Sequence, residues 1–349
     1  MTELSSSEPV SVVVESRAHG WRVDHYLTRL FPNYSRAAFQ EAIQQRAILL
    51  NGLPVKAGRR LRVNDTLSVR LPSLPDETLP PEDIPLDVLY EDESLIVINK
   101  PAGMIVHPGK GSYRGTLAGA LQFHFDNLSD VAGKLRPGIV HRLDKDTTGA
   151  IVIAKDNQVH NRLSSQFEER SVQKEYRALI WGQPEFDTDW IETFVRVHPK
   201  QREKMQVCEQ IGKAREAVTW YEMIERFDKC CYIRMLPKTG RTHQLRVHMA
   251  WLGHPMLADS LYGGHAEVYA HDLLASADPA SPLVLIQRQA LHAYRLTFRH
   301  PDSGQEMTFE APLPADMLQT LDALRTGRVD LPATDPASDT AASDEPTSE

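Results

Sequence analysis

The sequence is poor in cysteine, with only Cys208, Cys230 and Cys231 among 349 residues. An odd number with an adjacent pair is a poor disulfide framework, and no C-x-x-C unit indicates a structural zinc site. No stretch of about 18 uncharged apolar residues occurs, so we expect no membrane span. The first nine residues lack the basic start and the apolar run of a secretory signal. These absences predict a cytoplasmic protein with reduced thiols.

Several common catalytic motifs are also missing. The fourteen histidines include no H-E-x-x-H and no compact ligand cluster, so we expect no catalytic metal. The glycines around Lys110 do not form a phosphate loop, because five residues rather than four separate Gly103 from Gly109 and no Ser or Thr follows the lysine. The run GKGSYRG misses the dinucleotide-binding pattern by one residue. The HRLD at His141–Asp144 lacks the further residues of a kinase catalytic loop.

Charge is distributed unevenly along the chain. The protein has 39 basic and 47 acidic residues, a net charge of −8. The segment 329–349 contains six of the acids and the first fifteen residues another three, with no base in either. From Ser16 to Leu71, by contrast, ten Lys or Arg residues stand against Asp24, Glu41 and Asp65. This basic segment predicts a polyanionic partner, although charge alone also fits a solvated basic surface.

The basic segment has the pattern of a small domain with two helices and short strands. One apolar stripe at helical spacing consists of Val23, Tyr26, Leu27 and Leu30. Pro32 is expected to end this helix, and Ser35 to cap a second helix that runs to about Gln45. We expect strands at 47–50, near Val55 and at 66–71, with an Asn51-Gly52 turn after the first.

From Arg22 to about Leu71 this pattern resembles the α-L RNA-binding domain named after small-ribosomal-subunit protein four. The resemblance is carried by two helices followed by ILLNG and GRRLRVND in that order. It implies a positively charged helical surface that docks on folded RNA. The basic residues that we expect to contact RNA are Arg36, Arg46, Lys56, Arg59 and Arg60.

We expect four regions: an RNA-binding domain at 16–71, a linker at 72–87, a large domain at 88–328 and a disordered acidic tail at 329–349. The linker contains five prolines and five acids, a composition typical of a semi-rigid, solvated segment. The large domain has strand patterns in LDVLY, LIVINK, GAIVIAK, EYRALIWG, AVTWYEMIERF, CCYIRMLP and ALHAYRLTF. Helices are expected at 157–170, 242–252 and 315–325. This irregular alternation predicts the α+β class with a mixed, largely antiparallel sheet.

The segment PGIVHRLDKDTTGAIVIAK, 137–155, is the best candidate for a reactive loop. Its polar residues from His141 to Thr148 lie between two apolar runs, which predicts a tight loop that joins two buried strands. A loop braced in this way can hold a side chain in a fixed geometry. Asp144 and Asp146 are both candidates for a working carboxylate, although a solvated Asx turn would produce the same composition.

The local sequence HRLDKDTTG closely resembles the motif of the RluA family of pseudouridine synthases, in which the aspartate of H-R-L-D is catalytic. Three further segments match the family in order: NKPAGMIVHPG, QKEYRALIWG and LPKTGRTHQLRVHMAWLGHPMLADSLYG. Together they extend over about 160 residues, and a basic RNA-binding module ahead of them is also this family's arrangement. Within the family the chain is most similar to enzymes that modify large-subunit ribosomal RNA.

The resemblance implies a role for each of four residues. Asp144 is the catalytic carboxylate, and Arg246 is the arginine that pairs with it. Tyr176 is the tyrosine that stacks on the target base, and Arg142 enters the gap left by the flipped nucleotide. Arginine suits a carboxylate partner because its planar fork never loses its charge. Isomerisation of uridine involves no net redox change and no group donor, so we expect no cofactor.

The resemblance therefore implies an isomerase that converts specific uridines of structured RNA to pseudouridine. The expected partner is ribosomal RNA or the precursor of the large subunit, the expected form is a monomer, and no membrane partner is expected. A non-catalytic RNA-binding ribosome-assembly factor is the main alternative. Loss of Asp144, Tyr176 or Arg246 would mark such a protein, and all three are present. A glycosidase or base-cleaving hydrolase usually needs two carboxylates, and Asp146 is the candidate for the second.

Overall fold

The computed structural model describes residues 9–31, 34, 36–70, 79–109 and 114–328. Contacts within the chain divide it into two units, Met1–Thr78 and Leu79–Glu349. The division lies inside the segment 72–87 for which the sequence predicts a linker. No helix in these described ranges is long and apolar enough to cross a membrane.

The N-terminal unit contains two helices and a four-stranded antiparallel sheet in the order β1-β4-β2-β3. Asn51 and Gly52 both have positive φ angles, 52° and 78°, which is typical of the tight turn that joins two antiparallel strands. The elements are β1 (Val10–Val13), a 3₁₀ turn (Ser16–Ala18), α1 (Val23–Leu30), α2 (Arg36–Gln44), β2 (Ile48–Leu50), β3 (Leu53–Pro54) and β4 (Thr66–Val69).

The sequence patterns located these elements closely. Helix α1 has the bounds of the apolar stripe, α2 ends one residue before the expected Gln45, and β2 begins one residue after the expected start. Pro32 and Ser35 lie outside the described residues. Strand β1 was not expected, because a short, exposed edge strand shows little alternation of apolar and polar residues. It pairs with β4, so the N-terminal unit begins before residue 16, where the domain was expected to start.

A buried carboxylate joins the two helices of this unit. Asp24 is fully buried and accepts hydrogen bonds from Arg22, Arg36 and Gln40 at 2.9–3.0 Å. These bonds, that from Arg22 above all, hold the pKa of Asp24 well below its usual range despite its burial. A buried charge is tolerated when it is paired and hydrogen-bonded, so this ion cluster fixes α1 against α2.

The second unit is organised around one large sheet in the order β10-β9-β11-β12-β8-β15-β7-β6-β5, with β16 beside β15. All of these pairs are antiparallel except β15 with β7. Two further strands, β13 and β14, pair separately. The elements are β5 (Val88–Glu91), β6 (Leu95–Lys100), α3 (Leu117–His124), β7 (Thr148–Ala154), α4 (Asn157–Glu168), β8 (Gln173–Trp181), β9 (Thr188–Val197), β10 (Met205–Cys208), β11 (Arg215–Arg226), β12 (Cys230–Pro237), α5 (Gln244–Trp251), β13 (Val268–Tyr269), α6 (Ala270–Leu273), β14 (Val284–Ile286), β15 (Leu291–Arg299), β16 (Glu306–Glu310) and α7 (Ala315–Thr326).

The helices cover this sheet unevenly. Strands β6 and β7 are buried on both faces, since α3 packs on the side of Ile96 and Ile151 and α4 on the side of Val97 and Val152. This double burial explains the unbroken apolar runs of these two strands. Helix α5 packs against one face of β11 and β12, through residues such as Met249.

All seven expected strands of the large domain are present, and the three expected helices lie within two residues of their expected starts. The α+β class and the mixed, largely antiparallel sheet are confirmed. The expected strand before the reactive loop is wrong: GIV contributes only an isolated bridge between Ile139 and Ile153. Within the expected linker, Leu79 is buried and Ile84 and Leu86 pack against the hydrophobic core beside α3. Pro80, Asp83 and Asp87 are exposed, so residues 79–87 are only partly solvated. The expected tail, 329–349, lies outside the described residues.

Candidate active site

The HRLD loop leads through residues 145–147 into strand β7, which is third from one end of the large sheet. Gly149, the second residue of β7, has φ +112°, and a Cβ atom there would lie 2.2 Å from the carbonyl oxygen of Ala293 on β15. Only glycine permits this conformation and this close approach. The end of the loop is therefore fixed where β7 and β15 run in parallel.

Two side chains, the buried Lys100 and the half-buried His141, hold the rest of the loop. The Lys100 ammonium donates hydrogen bonds to the carbonyl oxygens of Pro101, Met104 and Lys145 at 2.7–2.9 Å, and Lys145 directly follows the candidate aspartate. Burial lowers the pKa of Lys100 to about 7, against the opposing charge of Asp146.

On the other side, His141 Nε2 accepts a hydrogen bond from the backbone N–H of Val152 at 3.0 Å. The imidazole also stacks on Phe167 with ring centroids 4.6 Å apart. Burial lowers the pKa of His141 to about 3, so the ring remains a neutral acceptor at neutral pH. The loop is consequently held from two sides by Lys100 and His141, which are not among the four residues given a catalytic or RNA-contacting role by the resemblance.

Arg246 links Asp144 to a second carboxylate. Its Nη1 donates to Asp144 Oδ2 at 3.1 Å, while its Nε and Nη2 donate to the two oxygens of Asp259 at 2.7 and 2.9 Å. Burial alone would lower the pKa of Arg246, but the hydrogen bonds and charges of Asp259 and Asp144 raise it above its usual value. The guanidinium is thus a fixed cation against Asp144, as the bidentate geometry of arginine allows.

The same loop-and-helix junction holds His243 and Tyr262 beside the carboxylate. His243 has φ +54° at the start of α5, and its Nδ1 lies 3.1 Å from Tyr262 Oη. Its Nε2 lies 3.8 Å from Asp144 Oδ1. Burial lowers the pKa of His243, and Asp144 offsets this only in part. Burial raises the pKa of Tyr262 to about 12, so both groups are neutral at neutral pH.

The residues assigned by resemblance meet in one cleft of about 560 Å³. Asp144 and Arg246 line it together with Tyr176 from β8 and the exposed Arg142 from the loop. Burial raises the pKa of Tyr176, and the nearby charge of Asp144 adds to this effect, so the phenol is protonated. Asp146 does not line the cleft. No group of three or more His, Cys, Asp or Glu side chains among the described residues is arranged to hold a metal ion.

The basic residues expected to contact RNA lie in the N-terminal unit. Arg46, Lys56, Arg59 and Arg60 are exposed, and Arg60 donates to the carbonyl oxygen of Gly20 at 2.8 Å. The Arg36 side chain is half exposed, but its guanidinium is paired with the buried Asp24. Arg36 therefore stabilises the fold through this ion pair, in addition to contributing positive charge to the unit.

Sequence reasoning missed three contributors to this site: Asp259, Tyr262 and Lys100. Asp259 and Tyr262 are both in the DSLYG run that ends the third quoted family segment, but nothing in their spacing indicates contact with Arg246. Lys100 lies in NKPAG, and a lysine is usually expected to be exposed at the protein surface. A lysine at the end of an otherwise apolar strand is the signal that could have identified it.

Both units are similar to known protein families. A model of the RNA pseudouridylate synthase family matches residues 94–251, and a model of the S4 domain matches residues 21–67. An uncharacterized RNA pseudouridine synthase of Chlorobaculum parvum is 41% identical over 308 residues, which cover 87% of this chain and 94% of that protein. Ribosomal large subunit pseudouridine synthase D of Escherichia coli O157:H7 is 39% identical over 317 residues, which cover 90% of this chain and 94% of that protein.

The fold also has a counterpart among solved structures. Human RNA pseudouridylate synthase domain containing 1 superposes with a TM-score of 0.50 at 24% identity, over 70% of this chain and 97% of that one. At this identity the likeness concerns the fold alone. The two sequence relatives are similar to this chain over nearly their whole length. The segment that matches the pseudouridylate synthase model, 94–251, contains Asp144, Tyr176 and Arg246. The chain therefore belongs to the RNA pseudouridine synthase family.

Proposed function

We propose that this protein isomerises specific uridines of large-subunit ribosomal RNA to pseudouridine, with Asp144 as the catalytic carboxylate. The main support is the contact between Asp144 and the buried Arg246 in a cleft that also contains Tyr176. The choice of RNA rests on the E. coli relative, whose name specifies the large ribosomal subunit, and on the S4 domain.

Asp144 suits the difficult part of the reaction. The N–C1′ bond of uridine must break, the uracil must turn, and its C5 must join C1′. An anionic oxygen can attack or stabilise the electron-poor sugar carbon while the base is detached. Arg246 offsets the cost of desolvating this carboxylate when RNA closes over the cleft. Because Arg246 is itself held by Asp259, the carboxylate has a preorganised partner.

Tyr176 and Arg142 suit the handling of the base. A uridine in a helix has to leave its stack to enter the cleft, which costs a few kcal/mol. The planar guanidinium of Arg142, exposed at the cleft, can fill the gap that the nucleotide leaves. Tyr176 offers an aromatic platform for the flipped uracil. Its raised pKa means that removal of the C5 proton by the phenolate would require prior loss of the phenol proton.

The N-terminal unit supplies a second, separate contact with RNA. Its exposed cations, among them Arg46, Lys56, Arg59 and Arg60, can neutralise phosphates and so provide affinity without reading the target base. We also propose that the protein acts as a monomer in the cytoplasm, where its proposed substrate, ribosomal RNA, is found.

A test uses an unmodified transcript of large-subunit ribosomal RNA and the purified protein. Pseudouridine should appear at a small number of positions, with no free uracil released. Release of uracil would support a base-cleaving hydrolase, and tight RNA binding without any product would support the assembly-factor alternative. The same transcript with the variants described below distinguishes the roles of individual residues.

A further inference from the structure

A second cavity, of about 430 Å³, lies next to the catalytic cleft. Four residues line both cavities: Arg170, Lys174, Pro237 and Lys238. They belong to the start of β8, the turn just before it, and the end of β12. The two cavities therefore share one rim at this edge of the sheet.

The two cavities open on opposite faces of the sheet. Tyr176, on the side of the cleft, is paired with Met235 on β12. Successive residues of a strand point to opposite faces, so Glu175 and Leu236 face the other way. Leu236 pairs with Trp220 on β11, and Trp220 pairs with Trp190 on β9. Because paired residues lie on the same face, Leu236, Trp220 and Trp190 form a row across the face opposite the cleft. An RNA strand that leaves the cleft over the shared rim would meet this row.

The second cavity has a strong excess of positive charge. Five cationic side chains line it, against the single carboxylate of Glu175. That carboxylate is buried and already paired with three arginines, at 2.6 Å from Arg177, 3.4 Å from Arg234 and 3.3 Å from Arg295. Its charge is consequently neutralised within the protein. Arg170, Arg234 and Arg295 also pair with Glu216, Glu222 and Glu310. The two lysines at the rim are therefore the cations that remain available for phosphate.

Two lysines at the rim have no carboxylate partner among the residues that the structure describes. Lys174 Nζ lies beside Gly240 of the cleft, where an added Cβ would be 3.8 Å away. Burial and the charge of Arg170 lower the pKa of Lys174, so an anion would be stabilised there. Lys238 Nζ instead lies 4.1 Å from the centroid of the Trp190 ring. A cation held by a ring rather than by a carboxylate can move to a phosphate and uncover the indole.

The tryptophans supply a stacking surface. Trp190 is 44% exposed and lines the second cavity, so its indole is accessible to a base that enters there. Trp220 beside it is partly buried and packs against Arg234, with the guanidinium carbon 5.6 Å from its ring centroid. Aromatic rings next to unpaired cations form the usual binding surface for single-stranded nucleic acid.

We infer that this second cavity is a nucleotide subsite: it binds a neighbour of the target uridine on the same RNA strand, with the base on Trp190 and the phosphate on Lys174 and Lys238. The inference rests on the proposed function, since it takes the occupant of the cleft to be a uridine in RNA. It extends recognition beyond the flipped base to the unstacked nucleotide next to it.

The test measures RNA affinity and turnover separately. Binding of the large-subunit transcript is measured in the Asp144→Ala background, where no product forms. There, Trp190→Ala should weaken binding about tenfold, the effect of losing one stacked base, and Trp190→Phe should retain most of it. Lys238→Gln should weaken binding and make its logarithmic salt dependence shallower by about 0.7, the value for one phosphate of a single strand.

Matched controls are available at the surface. Trp251 is 57% exposed at the end of α5 and lines neither cavity, so Trp251→Ala should bind like the parent. Lys229 lies in the hairpin at the other end of β12 and is exposed, so Lys229→Gln should retain the parent's salt dependence.

In the catalytically competent protein, Trp190→Ala should raise KM about tenfold and leave kcat within about twofold of the parent.

Chemical probing of the RNA locates the contact. The nucleotide next to the modified uridine should be protected by the parent and become reactive in the complex with Trp190→Ala. If Trp190→Ala and Lys238→Gln instead match their surface controls in affinity, salt dependence and probing pattern, the subsite is wrong. Absence of pseudouridine from the parent protein would overturn the proposed function, and that product assay is independent of the binding comparison.

Discussion

Asp259 binds Arg246 through two hydrogen bonds, at 2.7 and 2.9 Å, on the side of the guanidinium that faces away from the cleft. The carboxylate is itself fixed, because Oδ1 also accepts from the backbone N–H groups of Leu261 and Tyr262. This leaves Nη1 of Arg246 directed at Asp144. Asp259 is therefore the residue that orients the arginine partner of the proposed catalytic carboxylate.

Replacement of Asp259 tests this positioning role. Asp259→Asn should slow pseudouridine formation by up to about 100-fold, since a small displacement of a catalytic group can have an effect of that size. RNA affinity should change little, because Asp259 does not line the cleft. The variant should also lose about 3–5 kcal/mol of stability from a broken buried ion pair. The measurements are single-turnover rates and chemical denaturation.

The exposed pair of Glu225 with Arg325 is the matched control, because it has the same fork geometry and neither residue lines the cleft. Glu225→Gln should change both quantities little, since surface ion pairs contribute about 0–1 kcal/mol. An Asp259→Asn protein that retains the parent's rate would show that Arg246 is oriented by other contacts.

Lys100 should be required for the geometry of the HRLD loop. Lys100→Met keeps most of the apolar stem but leaves the carbonyl oxygens of Pro101, Met104 and Lys145 without their donor. An unsatisfied buried carbonyl costs about 1–3 kcal/mol, so the unfolding free energy should fall by at least that amount. The rate of pseudouridine formation should fall as well, because Lys145 adjoins Asp144. A variant that loses stability but keeps its rate would separate Lys100 from the positioning of the loop.

Gly149 should tolerate no side chain. Gly149→Ala places a Cβ 2.2 Å from the carbonyl oxygen of Ala293, so β7 and β15 have to separate where the loop is fixed. Gly133 is a useful control, since it has φ +90° and no atom within 4 Å of an added Cβ. Gly133→Ala should cost only the strain of its backbone, about 1–3 kcal/mol, and Gly149→Ala clearly more. Equal losses in thermal denaturation would contradict the requirement for close approach.

The sequence was sufficient for the parts of this fold that depend on local patterns. Strands such as β6 and β7 are unbroken apolar runs, and α1 carries a clear apolar stripe, so both were predicted. The edge strands β10 and β16 were not, because β10 is half-buried at every residue and β16 alternates only between partial and full exposure. Helix α3 was missed as well, since its apolar residues are buried almost all round and show no periodicity.

The sequence motifs predicted the residues that line the cleft, but not the buried residues that hold them in place. The quoted motifs predicted roles for Asp144, Tyr176, Arg142 and Arg246, and the structure brings all four to one cleft. Asp259 could not be predicted, since its contact with Arg246 depends on a turn that follows α5. The carbonyl contacts of Lys100 likewise exist only in the folded chain.

The free energy of unfolding should fall as the pH is lowered below about 6.5, at pH values above those at which carboxylates usually bind protons. Burial lowers the pKa of His107, His248 and His292 to about 4 and that of His141 to about 3. Below about pH 6.5 these groups bind protons in the unfolded chain and not in the folded one, so stability falls with pH down to the folded values. Each adds a slope of up to about 1.4 kcal/mol per pH unit.

Urea denaturation at pH 7.5 and pH 5.5 checks this expectation. The unfolding free energy should be lower at pH 5.5, and His292→Gln should reduce the difference. The His292 ring lies 2.8 Å from the Thr148 hydroxyl and 3.1 Å from the Ala311 carbonyl oxygen, so this variant also loses stability at neutral pH. Equal stability at the two pH values would contradict the neutral, buried state of these rings.

The most direct test of the central claim compares two neighbouring aspartates with the same RNA. Asp144→Asn keeps the shape of the carboxylate and removes its charge, whereas Asp146→Asn makes the same change at a side chain that does not line the cleft. With a large-subunit transcript, Asp144→Asn should form no detectable pseudouridine while binding the RNA as the parent does, and Asp146→Asn should still form the product. Pseudouridine formation by Asp144→Asn at a rate close to the parent's would contradict the account.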